Sequence, residues 1–414
     1  MILIVYRIGA AIPIPYVDSN ALYDFFHMAG NETSIFQYFN LLSGDAFAKA
    51  TLFALSISPY INASIIMQLL SIAIPALERL SKEGDEGRKK IAQITRYVTV
   101  ALALLTAFGY YTYLRNTVWA TADGAQHVGF LFNRSTFAAI VIIVSYCAGA
   151  AIIMWLGEQI NEHGVGNGIS MILFANIVAS LPAQIMSAFT VQSASIKFIG
   201  ALVLVVIMAA TMWFVVYISN AERRIPIQYA KRQVGRKMYG GQNSFLPLKV
   251  NMTGVMPIIF ASAIVSIPST IAMFVPKFAN WSFYQNWLSQ RGPVYIAVYF
   301  LLIIAFAYFY VAISFNPVEI SNNLKKNSGT IPGIRPGKPT ADYITKILNK
   351  ITLIGAIVLG IIAIIPFILA AVNPSFAGLT FGGSSIIIVV GVVLELAREI
   401  EAKLSMRHYK GFLD

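Results

Sequence analysis

The chain has 414 residues, 57% of them hydrophobic and only 12% charged, with a net charge of +12 and a mean hydropathy of +0.70. Soluble domains carry about 25% charged residues, so this chain lacks the polar surface that two or three water-facing domains of its length need. Its single cysteine, Cys147, excludes a disulfide framework and a cysteine-rich metal site.

Apolar runs of membrane-spanning length follow one another along the chain, and a crossing needs about 20 helical residues. The first run, Met1 to Ala11, is short for a crossing and is stopped by Pro13 and Pro15. It does not read as a cleavable signal peptide, and residues upstream of Met1 are expected. Leu41 to Ala50 then reads as a short, mildly amphipathic helix, followed by a second span over 53–74. Ser56-Ile57-Ser58-Pro59 interrupts that span. The interruption fits a helix broken beside a cavity at membrane depth, and it equally fits an ordinary proline kink.

Six more spans are predicted at 94–114, 136–156, 169–190, 196–219, 253–275 and 293–315. The apolar stretch 351–394 is too long for one crossing, and Val372-Asn373-Pro374 divides it into spans at 344–371 and 380–397. The total is ten, which defines an all-α polytopic membrane protein.

The segments 76–96, 157–168, 220–249, 316–350 and 398–414 hold 23 of the 30 basic residues, and all five fall on one side of a ten-span chain. By the positive-inside rule that side, with both termini, is cytoplasmic. Ten spans divide into two five-helix halves of inverted orientation, 1–190 and 191–414, and inverted halves commonly enclose a polar pathway.

Ionisable side chains are nearly absent from the middle of the spans, with Arg7, Arg96 and Lys197 near the ends. Ion-coupled transporters and intramembrane aspartyl proteases need such groups at depth. Glu158 to His163 lacks the histidine pair of a zinc protease, and Gly164-Val165-Gly166-Asn167-Gly168 follows a span with no lysine, so it reads as a tight turn. No catalytic set, metal site or cofactor motif is expected. A secondary transporter of small solutes remains the rival to a channel at this level.

The basic loops are chemically distinctive. Residues 220–249 carry seven basic residues against one acid, among them Arg223, Arg224, Lys231, Arg232, Arg236 and Lys237. The second loop holds Lys325 and Lys326, then Arg335 and Lys338 among prolines and glycines that would hold one guanidinium at a stiff turn tip. Topology alone accounts for positive charge in both loops. The Pro–Gly frame of Arg335 favours docking of an anionic partner. Branched pairs at helical spacing, Ile57 with Ile61 and Ile169 with Leu173, fit core packing better than a pore on periodicity alone.

Six stretches, SPYINASIIMQLL (58–70), MWLGEQINEHGVGNGIS (154–170), IPIQYAKRQ (225–233), LPLKVNMTGVMPIIFAS (246–262), FNPVEISNNLKKNSGTIPGIRPGKPT (315–340) and FGGSSIIIVVGV (381–392), resemble the SecY family, the large subunit of the bacterial Sec translocon. The resemblance implies an hourglass-shaped protein-conducting channel, its halves hinged near the connection of spans 5 and 6. It implies an apolar ring of Ile57, Ile61, Ile169, Leu173, Ile259 and Ile388. A plug helix around Ser43, Gly44, Asp45, Ala46 and Phe47 would close that ring. A lateral gate would run between spans 2–3 and 7–8, with Asn62, Gln68 and Asn251 as polar members. Implied partners are the small subunits SecE and SecG, the SecA motor ATPase, the ribosome through its RNA phosphates, preprotein signal sequences and membrane lipid. The implied location is the bacterial plasma membrane. One departure stands out: Asp45 occupies a position where the family commonly has glycine.

Overall fold

A computed structural model describes residues 1–27, 40, 42–120, 126–190, 197–229, 232–234, 237–239, 243–252, 254–274, 281–288, 292–372 and 382–410. Helices occupy every predicted span. They run α1 (Ile2–Gly9), α2 (Ser19–His27), α3 (Ser58–Ala73), α4 (Pro75–Lys82), α5 (Asp85–Asn116), α6 (Thr136–His163) and α7 (Gly168–Thr190). The series continues with α8 (Lys197–Asn220), α9 (Met256–Val265), α10 (Ile267–Phe274), α11 (Pro293–Ser314), α12 (Pro317–Lys326), α13 (Lys338–Val372) and α14 (Gly382–Lys410).

Among the described residues, four helical stretches are long and apolar enough to cross a membrane unaided: Asp85–Asn116, Thr136–His163, Pro293–Lys326 and Lys338–Ile365. Other spans are shorter, broken or charged at one end. Helix α3 has 16 residues, a rise of about 24 Å. It bends 105° into α4, where Pro75 supplies no amide to continue the ladder. Predicted span 7 is divided into α9 and α10 next to Ser266, whose hydroxyl bonds back to the Ala263 carbonyl.

The second span begins later than its apolar run suggests. Residues 52–57 are turns, Ser56 has φ +53°, and the helix starts only at Ser58 with Pro59 in its first turn. Proline is tolerated there because the first-turn amides have no partner in any case.

Neighbours in sequence pack together, α3 on α5, α5 on α6, α6 on α7, then α9 on α11 and α11 on α13. Contacts between early and late helices flank a common centre. Helix α3 meets α9 and α5 meets α10 on one flank, while α7 meets α14 on the other.

Strands were not anticipated. Strand β3 (Glu222–Tyr229) pairs antiparallel with β6 (Asn243–Lys249), in register from Glu222↔Lys249 to Gln228↔Asn243. Strand β7 (Gly329–Thr330) joins the other edge of β3, so the two basic loops form one unit. Beneath it lies an apolar cluster of Ile225, Leu248, Val311, Ile331, Ile344 and Leu348. Two small hairpins complete the strands among the described residues, β1 (Val118–Ala120) with β2 (Gln126–Val128) and β4 (Arg232–Val234) with β5 (Lys237–Tyr239).

Candidate channel constriction, plug and gate

All six residues of the expected ring are buried and belong to one apolar cluster. Four of them, Ile61 on α3, Leu173 on α7, Ile259 on α9 and Ile388 on α14, line a single cavity of about 30 Å³. Ile57 and Ile169 are not among its lining residues. Ile57 points toward Gly157 of α6, where Ile172 also packs, so it supports the constriction from behind.

The rest of the lining is Leu42, Ser58, Asn62, Ser262, Ala263 and Ser266. Ser262 and Ser266 donate their hydroxyls to helix carbonyls three residues back, at 2.8 and 2.7 Å, which spends their polarity on their own helix. Among the described residues the lining carries no ionisable side chain. Branched apolar side chains from four helices disfavour water here, with the Asn62 amide and the Ser58 hydroxyl as the remaining polar members of the lining.

Residues 44–50 are a series of hydrogen-bonded turns, not the regular helix expected of the plug. The physical reason is consecutive left-handed backbone at Gly44 (φ +63°) and Asp45 (φ +68°), which no α-helix accommodates. Side chains replace the missing helical ladder. Asn40 Oδ1 accepts from the Ala48 amide at 2.9 Å, and Ser43 Oγ accepts from the Phe47 amide at 3.0 Å. Asn40 Nδ2 donates to Asp45 Oδ1 at 3.0 Å, which ties the aspartate side chain into the turn. Ser43, Gly44, Ala46 and Phe47 are buried, and Phe47 lies against Tyr110 of α5, whose hydroxyl donates to the Phe47 carbonyl at 2.6 Å.

Gly44 is needed twice over. Besides its positive φ, a Cβ there would stand 3.1 Å from the Asn176 backbone and 2.8 Å from the Arg7 guanidinium. Gly44→Ala is expected to cost about 1–2 kcal/mol in this turn alone. That corresponds to roughly tenfold faster hydrogen exchange at the Phe47 and Ala48 amides. Unchanged exchange would mean the turn relaxes without loss.

Asn62 lines the cavity, and Gln68, further along α3, reaches Ser64 at 3.4 Å. Phe260 of α9 packs on both Phe306 and Tyr310, at 5.8 and 5.4 Å between ring centroids. The seam between α3–α5 and α9–α11 is therefore aromatic and amide in character. Asn251 lines a different cavity, of about 220 Å³, with Ser219, Lys249, Glu395 and Arg398. Arg398 there donates to the Ser219 carbonyl at 2.8 Å, and burial together with Arg398 lowers the Lys249 ammonium below the usual lysine range.

On the basic face, Arg223 and Arg224 are exposed at the base of β3, with Arg224 on Glu222 at 2.6 Å. Arg232 and Lys237 stand in the β4–β5 hairpin, whereas Lys231 and Arg236 lie outside the described residues. Lys325 and Lys326 are exposed in the last turn of α12, where cations suit the helix dipole. Arg335 and Lys338 are placed on a pinned turn, and both are exposed. Thr340 Oγ1 donates to the Arg335 carbonyl at 2.8 Å, and Ser321 Oγ donates to the Gly337 carbonyl at 2.7 Å.

Leu42, Asn176 and Tyr110 were missed from sequence. The signal available was a lone asparagine at position 176 inside an apolar helix, where an unpaired amide is costly.

An apolar waist shared by four helices, with a turn-built segment packed against it, defines a polytopic membrane protein of the channel class. Comparison with known proteins makes the class specific. The family model described as SecY matches residues 51–397. Protein translocase subunit SecY of Streptomyces scabiei is 43% identical over 415 residues, covering all of this chain and 94% of the relative. That of Mycobacterium bovis is 42% identical, covering all of this chain and 95% of the relative. The fold is similar to a solved protein-conducting channel, with TM-score 0.65 and 18% identity over 97% of this chain and 90% of the other. It is also similar to Sec61 in the canine ribosome–channel complex, with TM-score 0.60 and 17% identity over the same shares. The chain belongs to the SecY family.

Proposed function

We propose that this chain conducts unfolded secretory preproteins through the waist lined by Ile61, Leu173, Ile259 and Ile388, and that membrane helices leave sideways between spans 2–3 and 7–8. The observation that carries the reading is the mainly apolar constriction, charge-free among the described residues, with Leu42 of the plug segment in its lining. Flexible branched side chains close around whatever chain passes, whereas a charged ring would bind some polypeptides and repel others. Family membership makes the chain a translocation channel and sets aside the solute transporter.

In this reading residues 1–190 and 191–414 are the two halves, hinged between spans 5 and 6. The basic face is cytoplasmic, with both termini, and the membrane is the bacterial plasma membrane. Arg223 to Lys237 and Lys325 to Lys338 dock the driving partner, either the acidic surface of SecA or ribosomal RNA phosphates. A structural neighbour solved in a ribosome–channel complex supports the second of these. SecE and SecG would complete the membrane complex. Asn62 and Gln68 belong to the gate, where an apolar segment of about 20 residues partitions from water into lipid.

The test is preprotein transport in proteoliposomes holding the chain with its small partner subunits, given SecA and ATP. ATP-dependent protection of preprotein from added protease is expected. Absence of protection, repeated with a ribosome–nascent chain complex, would overturn the reading.

A further inference from the structure

The Leu42 carbonyl is the meeting point of three separate elements. Asn176 of α7, fully buried, donates its Nδ2 to that oxygen at 2.7 Å. Ser56, also buried and left-handed at φ +53°, donates its hydroxyl to the same oxygen at 2.8 Å. The second Asn176 amide hydrogen reaches Ser56 Oγ at 3.3 Å, closing a triangle. These partners are 134 and 120 residues apart in sequence, so the triangle ties plug to span 5 and to the turn before span 2. Tyr6, buried and stacked on Phe53 at 5.4 Å, walls the triangle from the side of α1.

Each corner is also joined to the waist. Leu42 itself lines the cavity. Leu173 stands one turn before Asn176 on α7, and Ser56 closely precedes the helix that carries Ile61. Widening of the waist between α3 and α7 would draw Asn176 away from the turn that holds Ser56. A buried hydrogen bond works only within a few tenths of an ångström of its ideal length, so such a movement breaks the triangle at an early stage.

We propose that Asn176 and Ser56 are positioning residues that form a catch on the Leu42 carbonyl, holding the plug against the closed waist and releasing it as the waist parts. The proposal rests on the channel reading above and adds its regulation. Opening of the ring and departure of the plug are then one event, because the catch is mounted on α7 and on the turn that leads into α3. A plug held by apolar contact alone would stay in place until a passing chain displaced it.

The test uses the complex of this chain with its small subunits in planar bilayers. Two quantities are read, ion conductance at rest and the maximal conductance evoked by a synthetic signal peptide. Asn176→Leu keeps most of the volume and removes both donors. It is expected to raise resting open probability about tenfold, the equilibrium change that loss of a buried hydrogen-bonded amide produces, with the evoked maximum unchanged. Ser56→Ala is expected to act in the same direction. The double variant is expected to fall short of the product of the two, because both groups act on one oxygen.

Resting conductance equal to wild type in Asn176→Leu, with evoked conductance intact, would overturn the catch. If Asn176→Leu also loses its evoked conductance, the smaller excision Ser56→Ala decides by the same comparison. A wild-type complex that no signal peptide opens would overturn the channel reading, and the catch with it.

Discussion

Replacing Ile61 by asparagine is expected to turn a resting channel that passes no ions into one that leaks, while the same change at Ile57 is not. Sequence periodicity treats the two residues alike, one turn apart on a helix. The structure separates them. Ile61 lines the 30 Å³ cavity, and Ile57 faces Gly157 and lies outside that lining. A cavity of that size admits about two waters by volume, and an occupied site needs two to four polar partners per water. Ser262 and Ser266 spend their hydroxyls on their own helix. An asparagine in place of Ile61 would add a second amide beside Asn62, which gives the cavity the two to four polar partners that hold a water and start a continuous file. Asparagine at 57 buries an amide in packed surroundings, so about 1–3 kcal/mol of stability is expected to be lost without wetting the pore. Planar-bilayer conductance and thermal unfolding of both variants separate the outcomes. A leak from Ile57→Asn with none from Ile61→Asn would place the seal one turn earlier.

The ten spans were legible because apolarity over about 20 residues is a property of composition, and lipid demands it wherever a helix crosses. Their boundaries were less so. The run 53–74 is apolar throughout, but Ser56 and Pro59 decide that the helix begins at 58, which is backbone chemistry that hydropathy does not weigh. The plug shows the same limit. Leu41 to Ala50 has helical composition, yet Gly44 and Asp45 take left-handed backbone because Gly44 must approach the backbone of Asn176. A contact between residues so far apart in the chain leaves no local trace. The sheet joining the basic loops was hidden for a related reason, since two residues of β7 are too few to carry an alternation pattern.

What sequence reading did reach at the site came from two sources. Residues with chemistry of their own, such as Arg335 among prolines and glycines, stood out as candidates, and the structure adds the pinned turn that presents that side chain. The ring did not, since isoleucines at helical spacing are ordinary core in a chain this apolar. Its residues came from family resemblance, and only the structure divides those that line the cavity from those that support it.

Arg335→Glu is expected to reduce SecA- and ATP-driven transport at least about thirtyfold while leaving the membrane fold intact. The turn carrying Arg335 is stiff for reasons on both sides of it. Ile331 is buried in the apolar cluster under the sheet, and the Ile334 amide bonds the Ile331 carbonyl at 3.1 Å. Gly333 and Gly337 take positive φ of 80° and 101°, and the carbonyls of Arg335 and Gly337 are held by Thr340 and Ser321. The guanidinium is thus exposed on a fixed base, so in the proposed docking role little backbone freedom would be lost on meeting a carboxylate or phosphate. Truncating or reversing one partner of a desolvated charge pair costs about 2–5 kcal/mol, whereas an exposed substitution without a structural role stays within about 0.5 kcal/mol of stability. Lys326→Glu provides the contrast. Lys326 is exposed on the last turn of α12 with a long, mobile stem, and its effect is expected to be several-fold smaller and to fade with added salt. Full transport by Arg335→Glu would remove the turn from the docking surface. An equal loss from both variants at every salt concentration would instead assign the effect to net charge, with no special role for the turn that presents Arg335.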